Sequence, residues 1–395
     1  MDIYKKIKYG TGKYPSEVVE KPEAVKRIPR YFKRYGISLG EFTERLKSLM
    51  PYDFVFITSI MSYWYPGLQK AIDIVRNETP HVPIILGGIY ATLFHEHALK
   101  NSHADSIYKG NIKEDIISVL KRYGIQLNKK ITGKNRISDT IAKPYYQLNL
   151  YESYPFAPIL TSHGCPYNCS YCASSILSDS FMQRDPFDVV KEIYELYEIG
   201  IRDFAFYDDA LLVNPDSHIK IILREIIQSN VKLRFHCPNG IHARFIDDEI
   251  AHLMKESGFK TIRLGLETVN DSRNAQMGGK VDTESLISAV KVLKKYGFTK
   301  NEIGVYLMYG LPKQYLSEVR DGVNLLKDLC VRINLTEFSP IPGTLYWNEL
   351  KERRLISNDI DPLLTNNSVF SYLFSGYNPY ELESLKLDVK NYNAV

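Results

Sequence analysis

The sequence predicts an α/β chain of two parallel-sheet units. The second reads as a β/α barrel of six units, partial or complete, with an open six-stranded sheet as the alternative. Three observations predict this. Strand-like apolar runs alternate with helix-period segments in residues 51–140 and again from Pro158 onward. Glycines and polar residues collect at the carboxyl ends of those runs, where parallel sheets bind ligands. At 395 residues the chain is long for a single core, so two domains are expected.

Residues 1–50 form a basic, polar arm interrupted by Pro22 and Pro29, with Lys26, Arg27, Arg30, Lys33 and Arg34 clustered. It reads as a solvated face with Tyr31, Phe32 and Tyr35 packed beneath, or else as an RNA- or partner-binding arm. "DFVFITSI" (Asp53 to Ile60) predicts a buried strand, and Leu68, Ile72 and Val75 then share one helix face. "VPIILGG" is a second strand ending in Gly87 and Gly88, and "ADSIYKG" is a weaker third. The polar stretch Asn128 to Lys143 reads as a linker. Six strands follow in "APILTSH", "DFAFYDD", "KLRFHC", "TIRLGLE", "IGVYLMYG" and "INLTEFSP". Between them, Asp185-Pro186 caps a helix in which Val189, Val190, Ile193, Leu196 and Tyr197 recur at helical spacing. Further helices start after Pro215 and near Asp247-Asp248, and cover Thr283 to Lys295 and Leu316 to Leu329. The expected division is an arm (1–50), a first α/β domain (51–140), a barrel (150–350) and an aromatic-rich tail (351–395).

Hydrophobic residues make up 44% of the chain and charged residues 24%, the balance of an ordinary globular protein. A net charge of +4 does not call for nucleic acid. The longest uncharged apolar run, Phe54 to Gln69, is broken by Pro66 and Gly67, which argues against a membrane span. "MDIYKKIKYG" lacks the apolar core of a signal peptide, so a cytoplasmic location is expected. Clustered thiols in that compartment bind metal or catalyse rather than form disulfides.

The cluster is "CPYNCSYC", three of the five cysteines on one loop after the first barrel strand. A structural zinc needs four ligands, and a fourth would have to come from His163, Cys237 or Cys330. Iron–sulfur clusters take closely spaced thiolates, and three of them leave one iron of a [4Fe–4S] cluster open. Cys165, Cys169 and Cys172, with Tyr171 in the aromatic slot, resemble the C-x3-C-x-aromatic-C signature of the radical S-adenosylmethionine (SAM) superfamily. The resemblance covers about residues 155–350. It implies a partial (β/α)6 radical SAM barrel whose cluster binds and reductively cleaves SAM, giving a 5′-deoxyadenosyl radical that abstracts hydrogen from substrate.

By the same resemblance, Asp208 and Asp209 of "FYDDALL" meet the methionyl part of SAM, with a turn or cap as the other reading. Glu267 of "RLGLETVN" holds SAM, with Arg263 as a structural partner on the same strand. Tyr309 and Gly310 of "MYGLPKQYLSE" border the adenine, and "FSPIPGTLYW" is architectural. His236, Cys237 and Asn239 face the substrate space or form a satisfied polar network.

The segment from "TSIMSYWYPGLQKAI" to "ADSIYKG" resembles the cobalamin-binding-domain branch, rich in methyltransferases. Its Rossmann-like domain would present Ser62, Tyr63, Gly87 and Gly88 to the corrin. Two departures leave cobalamin open as a third cofactor. No D-x-H-x-x-G motif is present; Asp216 and His218 have the first spacing without the glycine and lie in the barrel. The first β/α unit is also expected to be missing, so this domain reads as truncated. The leading expectation is cobalamin-assisted C-methylation. Cobalamin-independent rearrangement, dehydrogenation or cyclisation is the alternative, and a non-catalytic Fe–S/SAM-binding protein is the rival of another class. The expected partners are a small-molecule or peptide substrate and an electron donor such as flavodoxin or ferredoxin, with neither membrane nor nucleic acid.

Overall fold

A parallel strand buried on both faces needs helices on both sides, and the alternation of apolar runs supplies them twice. The computed structural model describes residues 14–110, 116–124, 155–279 and 281–395. The expected linker, Asn128 to Lys143, lies outside these residues. The chain divides into two compact units: the described residues up to Gly124 with Ser339–Phe370, and those from Pro155 to Phe338 with Ser371–Val395.

In the first unit, β1 (Ser16–Val18) and β2 (Lys33–Tyr35) pair antiparallel, and Arg34 donates to Glu17 at 2.8 Å. Tyr31 and Tyr35 are 81% and 63% exposed, against the expectation that they pack beneath the arm. A two-stranded ribbon offers no second layer to bury them. Next come β3 (Val55–Ser59), β4 (Ile84–Gly87) and β5 (Ser106–Ile107), parallel in that order. Ile84, Ile85 and Leu86 of the central strand are buried. β3 is an edge strand with Phe56 44% exposed, so the buried strand expected over residues 53–60 is only half covered. The helix Tyr65–Glu78 buries Leu68, Ile72 and Val75, the face its spacing predicts.

The segment expected to be one C-terminal tail is shared between the units. Ser339–Phe370 clusters with the first. There Trp347 meets Phe94 edge to face at 5.9 Å, and the Tyr65 hydroxyl donates to Asp361 at 2.9 Å.

The second unit contains β6 (Ala157–Ile159), β7 (Ser162–His163), β8 (Met182–Gln183), β9 (Asp203–Phe206), β10 (Arg234–His236), β11 (Phe259–Glu267), β12 (Ile303–Tyr309) and β13 (Arg332–Glu337). Six of these form one parallel sheet in the order β13-β12-β11-β10-β9-β6, while β7 and β8 form an antiparallel pair. The sheet is curved around a polar inner face and open between β6 and β13, a partial (β/α)6 barrel. Its outer face packs on the helices through Phe204, Phe206, Phe235 and Phe259, whose neighbouring rings lie 5.3–6.0 Å apart. Helix starts follow the sequence: Asp185 accepts from Phe187 N–H at 2.8 Å and Asp247 from Ile250 N–H at 2.7 Å. The last helix, Pro379–Ala394, closes the free edge of β13. The Asn393 amide accepts from the Ile333 N–H at 3.0 Å and donates to the Ile333 carbonyl at 2.7 Å, standing in for one residue of a neighbouring strand. Among the described residues, no helix is long and apolar enough to cross a membrane.

Tyr65→Phe removes one of the contacts that hold residues 339–370 within the first unit. Hydrogen bonds to charged groups contribute about 1.5–3 kcal/mol. Hydrogen exchange over residues 361–370 is expected to accelerate while exchange in β9–β13 stays unchanged.

Candidate active site at the cysteine loop

The loop is built from the end of the first barrel strand. Just beyond β6, the buried carboxylate of Asp208 accepts three hydrogen bonds on Oδ1: from Thr161 N–H at 2.9 Å, Thr161 Oγ1 at 2.8 Å and Ser162 Oγ at 2.6 Å. Its Oδ2 is buried without a donor. Burial pushes this carboxyl up, against hydrogen bonds that hold it down. Asn239 fixes the same strand end from the next strand, its Nδ2 donating to the carbonyls of Tyr207 at 2.9 Å and Asp208 at 3.2 Å.

The loop itself is held along its length. The Tyr167 ring lies 4.2 Å from His242, and Ser170 N–H donates to the Met277 carbonyl at 3.3 Å. The Tyr171 hydroxyl donates to Glu267 Oε1 at 3.0 Å. After the last cysteine, Ser174 offers its N–H to Cys172 Sγ at 3.5 Å, and its hydroxyl donates to Asp209 at 3.0 Å. Glu267 closes β11 with φ +66°, just after a register shift against β12. Its carboxylate folds back over Gly265, where a Cβ would stand 3.0 Å from Oε1. A side chain at the glycine of the G-x-E segment would thus press on the acid two residues later. Burial, with Glu267 beside it, pushes the Tyr171 hydroxyl well above its usual range.

The structure brings Cys165, Cys169, Cys172, Tyr171, Asp208, Asp209 and Glu267 to one mouth of the barrel, but other expected site residues lie elsewhere. Tyr309 belongs to the core between sheet and helices, its hydroxyl on Glu337. The N–H of Gly310 donates to the Tyr377 hydroxyl at 3.2 Å. His236 sits between Thr261 Oγ1 at 2.9 Å and Asp203 Oδ1 at 3.2 Å, the satisfied-network reading. The Cys237 thiol is buried, and burial with Asp208 nearby pushes it far up, so it is an inert thiol. Arg263 forms no ion pair with Glu267, which instead holds Tyr171. Sequence reasoning missed Ser174 and Met277, and only Ser174 carried a signal, a hydroxyl two residues after the last ligand-type cysteine.

In the first unit, Ser62 and Tyr63 lie in the turn after β3, and Gly87 and Gly88 at the end of β4; Ser59 bridges to Gly88. Burial pushes the Tyr63 hydroxyl up. Beside them, the Tyr90 hydroxyl and His97 Nδ1 are 2.7 Å apart, and burial pushes His97 down, toward the neutral ring.

None of the three loop cysteines is in a disulfide. Among the described residues, no three His, Cys, Asp or Glu side chains converge to hold a single metal ion. Three thiols on one loop fall one short of a closed zinc site, whereas a multi-iron cluster taking one thiolate per iron fits them. Tyr171→Phe keeps the ring and releases Glu267. A destabilisation of about 1.5 kcal/mol is expected in the unfolding of the second unit, with iron content after reconstitution unchanged; denaturation and an iron assay check both.

Residues 159–326 match the model of the Radical SAM superfamily. An uncharacterized methyltransferase of Pyrococcus horikoshii is 27% identical over 337 residues, covering 79% of this chain and 72% of its own length. An anaerobic magnesium-protoporphyrin IX monomethyl ester cyclase of Synechocystis is 24% identical, covering 81% of this chain and 68% of its own. Among solved structures, the radical SAM methyltransferase TsrM from Kitasatospora setae superposes with a TM-score of 0.65 at 17% identity, covering 81% of this chain and 70% of that one. At that identity the likeness shows the fold. Another structure of TsrM holds cobalamin and a [4Fe–4S] cluster. Residues 159–326 are thus a radical SAM domain, the chain is an enzyme, and among its relatives and fold neighbours are methyltransferases, one of which holds cobalamin.

Proposed function

We propose that the chain is a C-methyltransferase that works with SAM, a [4Fe–4S] cluster and cobalamin. The observation that carries the reading is the loop of three cysteines outside any disulfide, fastened to the ends of β9 and β11 through Asp208, Tyr171–Glu267 and Ser174–Asp209. When bound, these cofactors supply the 5′-deoxyadenosyl radical and the methyl group. The chain's own residues bind and orient. Cys165, Cys169 and Cys172 give one thiolate each, and the Ser174 N–H stabilises the charge on Cys172. Glu267, released from Tyr171, would accept from the SAM amino group, and Asp209 is the exposed acid held by Ser174. Asp208, committed to Thr161 and Ser162, positions the loop rather than touching SAM. In the first unit Ser62, Tyr63, Gly87 and Gly88 are the corrin-facing residues at the carboxyl ends of β3 and β4. A one-electron donor such as flavodoxin or ferredoxin in the cytoplasm completes the system.

The methylation reading draws on the methyltransferase relative and on the fold of TsrM. A second reading, radical cyclisation without methyl transfer, is favoured by the cyclase relative and by the three-stranded first sheet with its half-exposed edge.

Anaerobic reconstitution with iron and sulfide, then SAM and a strong reductant, is expected to release 5′-deoxyadenosine. Hydroxocobalamin is expected to stay with the protein through gel filtration, read by its visible absorbance. Turnover of SAM without cobalamin retention selects the second reading, and no 5′-deoxyadenosine sinks both. Cys169→Ala is expected to lose the reconstituted iron; iron content equal to the parent's would refute the ligand assignment.

A further inference from the structure

The inner face of the barrel carries a cation that the preceding roles do not use. Arg263 lies on β11 between Ile262 and Leu264, which point the other way into the core against the helices. In the sheet register, Arg263 pairs with Gly304 of β12, and Gly304 with Arg332 of β13. Because Gly304 has no side chain, Arg263 lies across β12. A Cβ there would stand 2.8 Å from Arg263 Cδ, 2.9 Å from Nη1 and 2.7 Å from Asn334 Oδ1. The hydrogen bond of the guanidinium runs to its own neighbour, the Ile262 carbonyl, at 3.0 Å. Among the described residues, neither Arg263 nor Arg332 forms an ion pair with a carboxylate.

The contrast with Arg234 on the same inner face is direct. Arg234 Nε donates to Asp203 at 2.7 Å, and a second nitrogen reaches the other oxygen. One inner cation has its acid; Arg263 faces Tyr306, Cys237 and a second arginine. Burial and Arg332 both disfavour its charge. Beside it, Asn334 Oδ1 is buried without a donor. Arg332 also lines an open groove of about 420 Å³ between β13 and the last helix, together with Lys390 and with Lys386, which pairs with Glu337 and Glu383. Withdrawing a guanidinium from water without a counter-charge is costly, and the cost is recovered when an anion arrives.

We propose that Arg263, with Arg332 beside it, binds an anionic group of the substrate, a carboxylate or a phosphate, on the inner face of the barrel next to Gly304, Tyr306 and Asn334. This rests on the reading of the chain as a radical SAM enzyme whose substrate enters the barrel. It narrows the substrate class to molecules that carry an acid.

The test uses the full chain and two simple probes, inorganic phosphate and acetate, against sodium chloride of matched ionic strength. One or both probes are expected to raise the thermal midpoint of the second unit by about 2–4 °C at concentrations well above Kd. The probe that acts identifies the group. Arg263→Gln is expected to lose the shift and to be at least as stable as the parent without anion; Arg263→Lys retains part of it. An equal shift in parent and Arg263→Gln, or none in the parent, overturns the proposal. So does loss of SAM binding by Arg263→Gln in equilibrium dialysis, which would assign the cation to the carboxylate of SAM. SAM cleavage by the unmodified, reconstituted protein is scored separately, so failure of the enzyme reading is distinguishable from failure of the anion site.

Discussion

A loop that must present three thiolates to one cluster cannot be left to its own conformational preferences. Eight residues with freely varying backbone would lose far more entropy on ordering than a few surface contacts return. In this fold the cost is met at the loop's root. The carboxylate of Asp208 gathers both polar groups of Thr161 and the hydroxyl of Ser162, so the chain leaves β6 in a fixed direction before the first cysteine is reached. Asn239 then ties the backbone of Asp208 to the next strand. The remaining anchors act on a loop already aimed. This makes Asp208 a structural acid, although a sequence motif places it beside SAM.

The polar groups along the barrel are sorted by level. Asp203, Arg234, His236 and Thr261 satisfy one another nearer the amino ends of β9 and β11. Glu267 and Asp209 stand at the mouth and hold the hydroxyls of Tyr171 and Ser174, which yield easily to a charged ligand. Between these levels lies Arg263. Stability is secured at the bottom of the barrel and left incomplete toward the top.

Much of this was legible in the sequence, and what was not has identifiable reasons. The strands, the helix caps at Asp185 and Asp247 and the cysteine loop announce themselves through local periodicity and spacing. The Tyr171–Glu267 bond joins residues 96 apart and the Ser174–Asp209 bond residues 35 apart, distances at which pattern carries no pairing information. The family's turn motif puts Tyr309 beside the adenine, yet Ile303, Val305 and Leu307 set the strand's parity, and Tyr309 follows them into the core. The return of residues 339–370 to the first unit had no sequence signal at all. It depends on Trp347 and Asp361 finding Phe94 and Tyr65, pairings that only the folded chain reveals.

The open barrel has an unusual seal. An unpaired β13 would expose a row of backbone donors and acceptors, an invitation for another chain to add a strand. The Asn393 amide occupies that row at Ile333 with the same donor and acceptor a real strand would use. The last helix is therefore a guard against self-association as well as a covering layer. Its detachment would bare an edge at which copies of the chain could add to one another strand to strand.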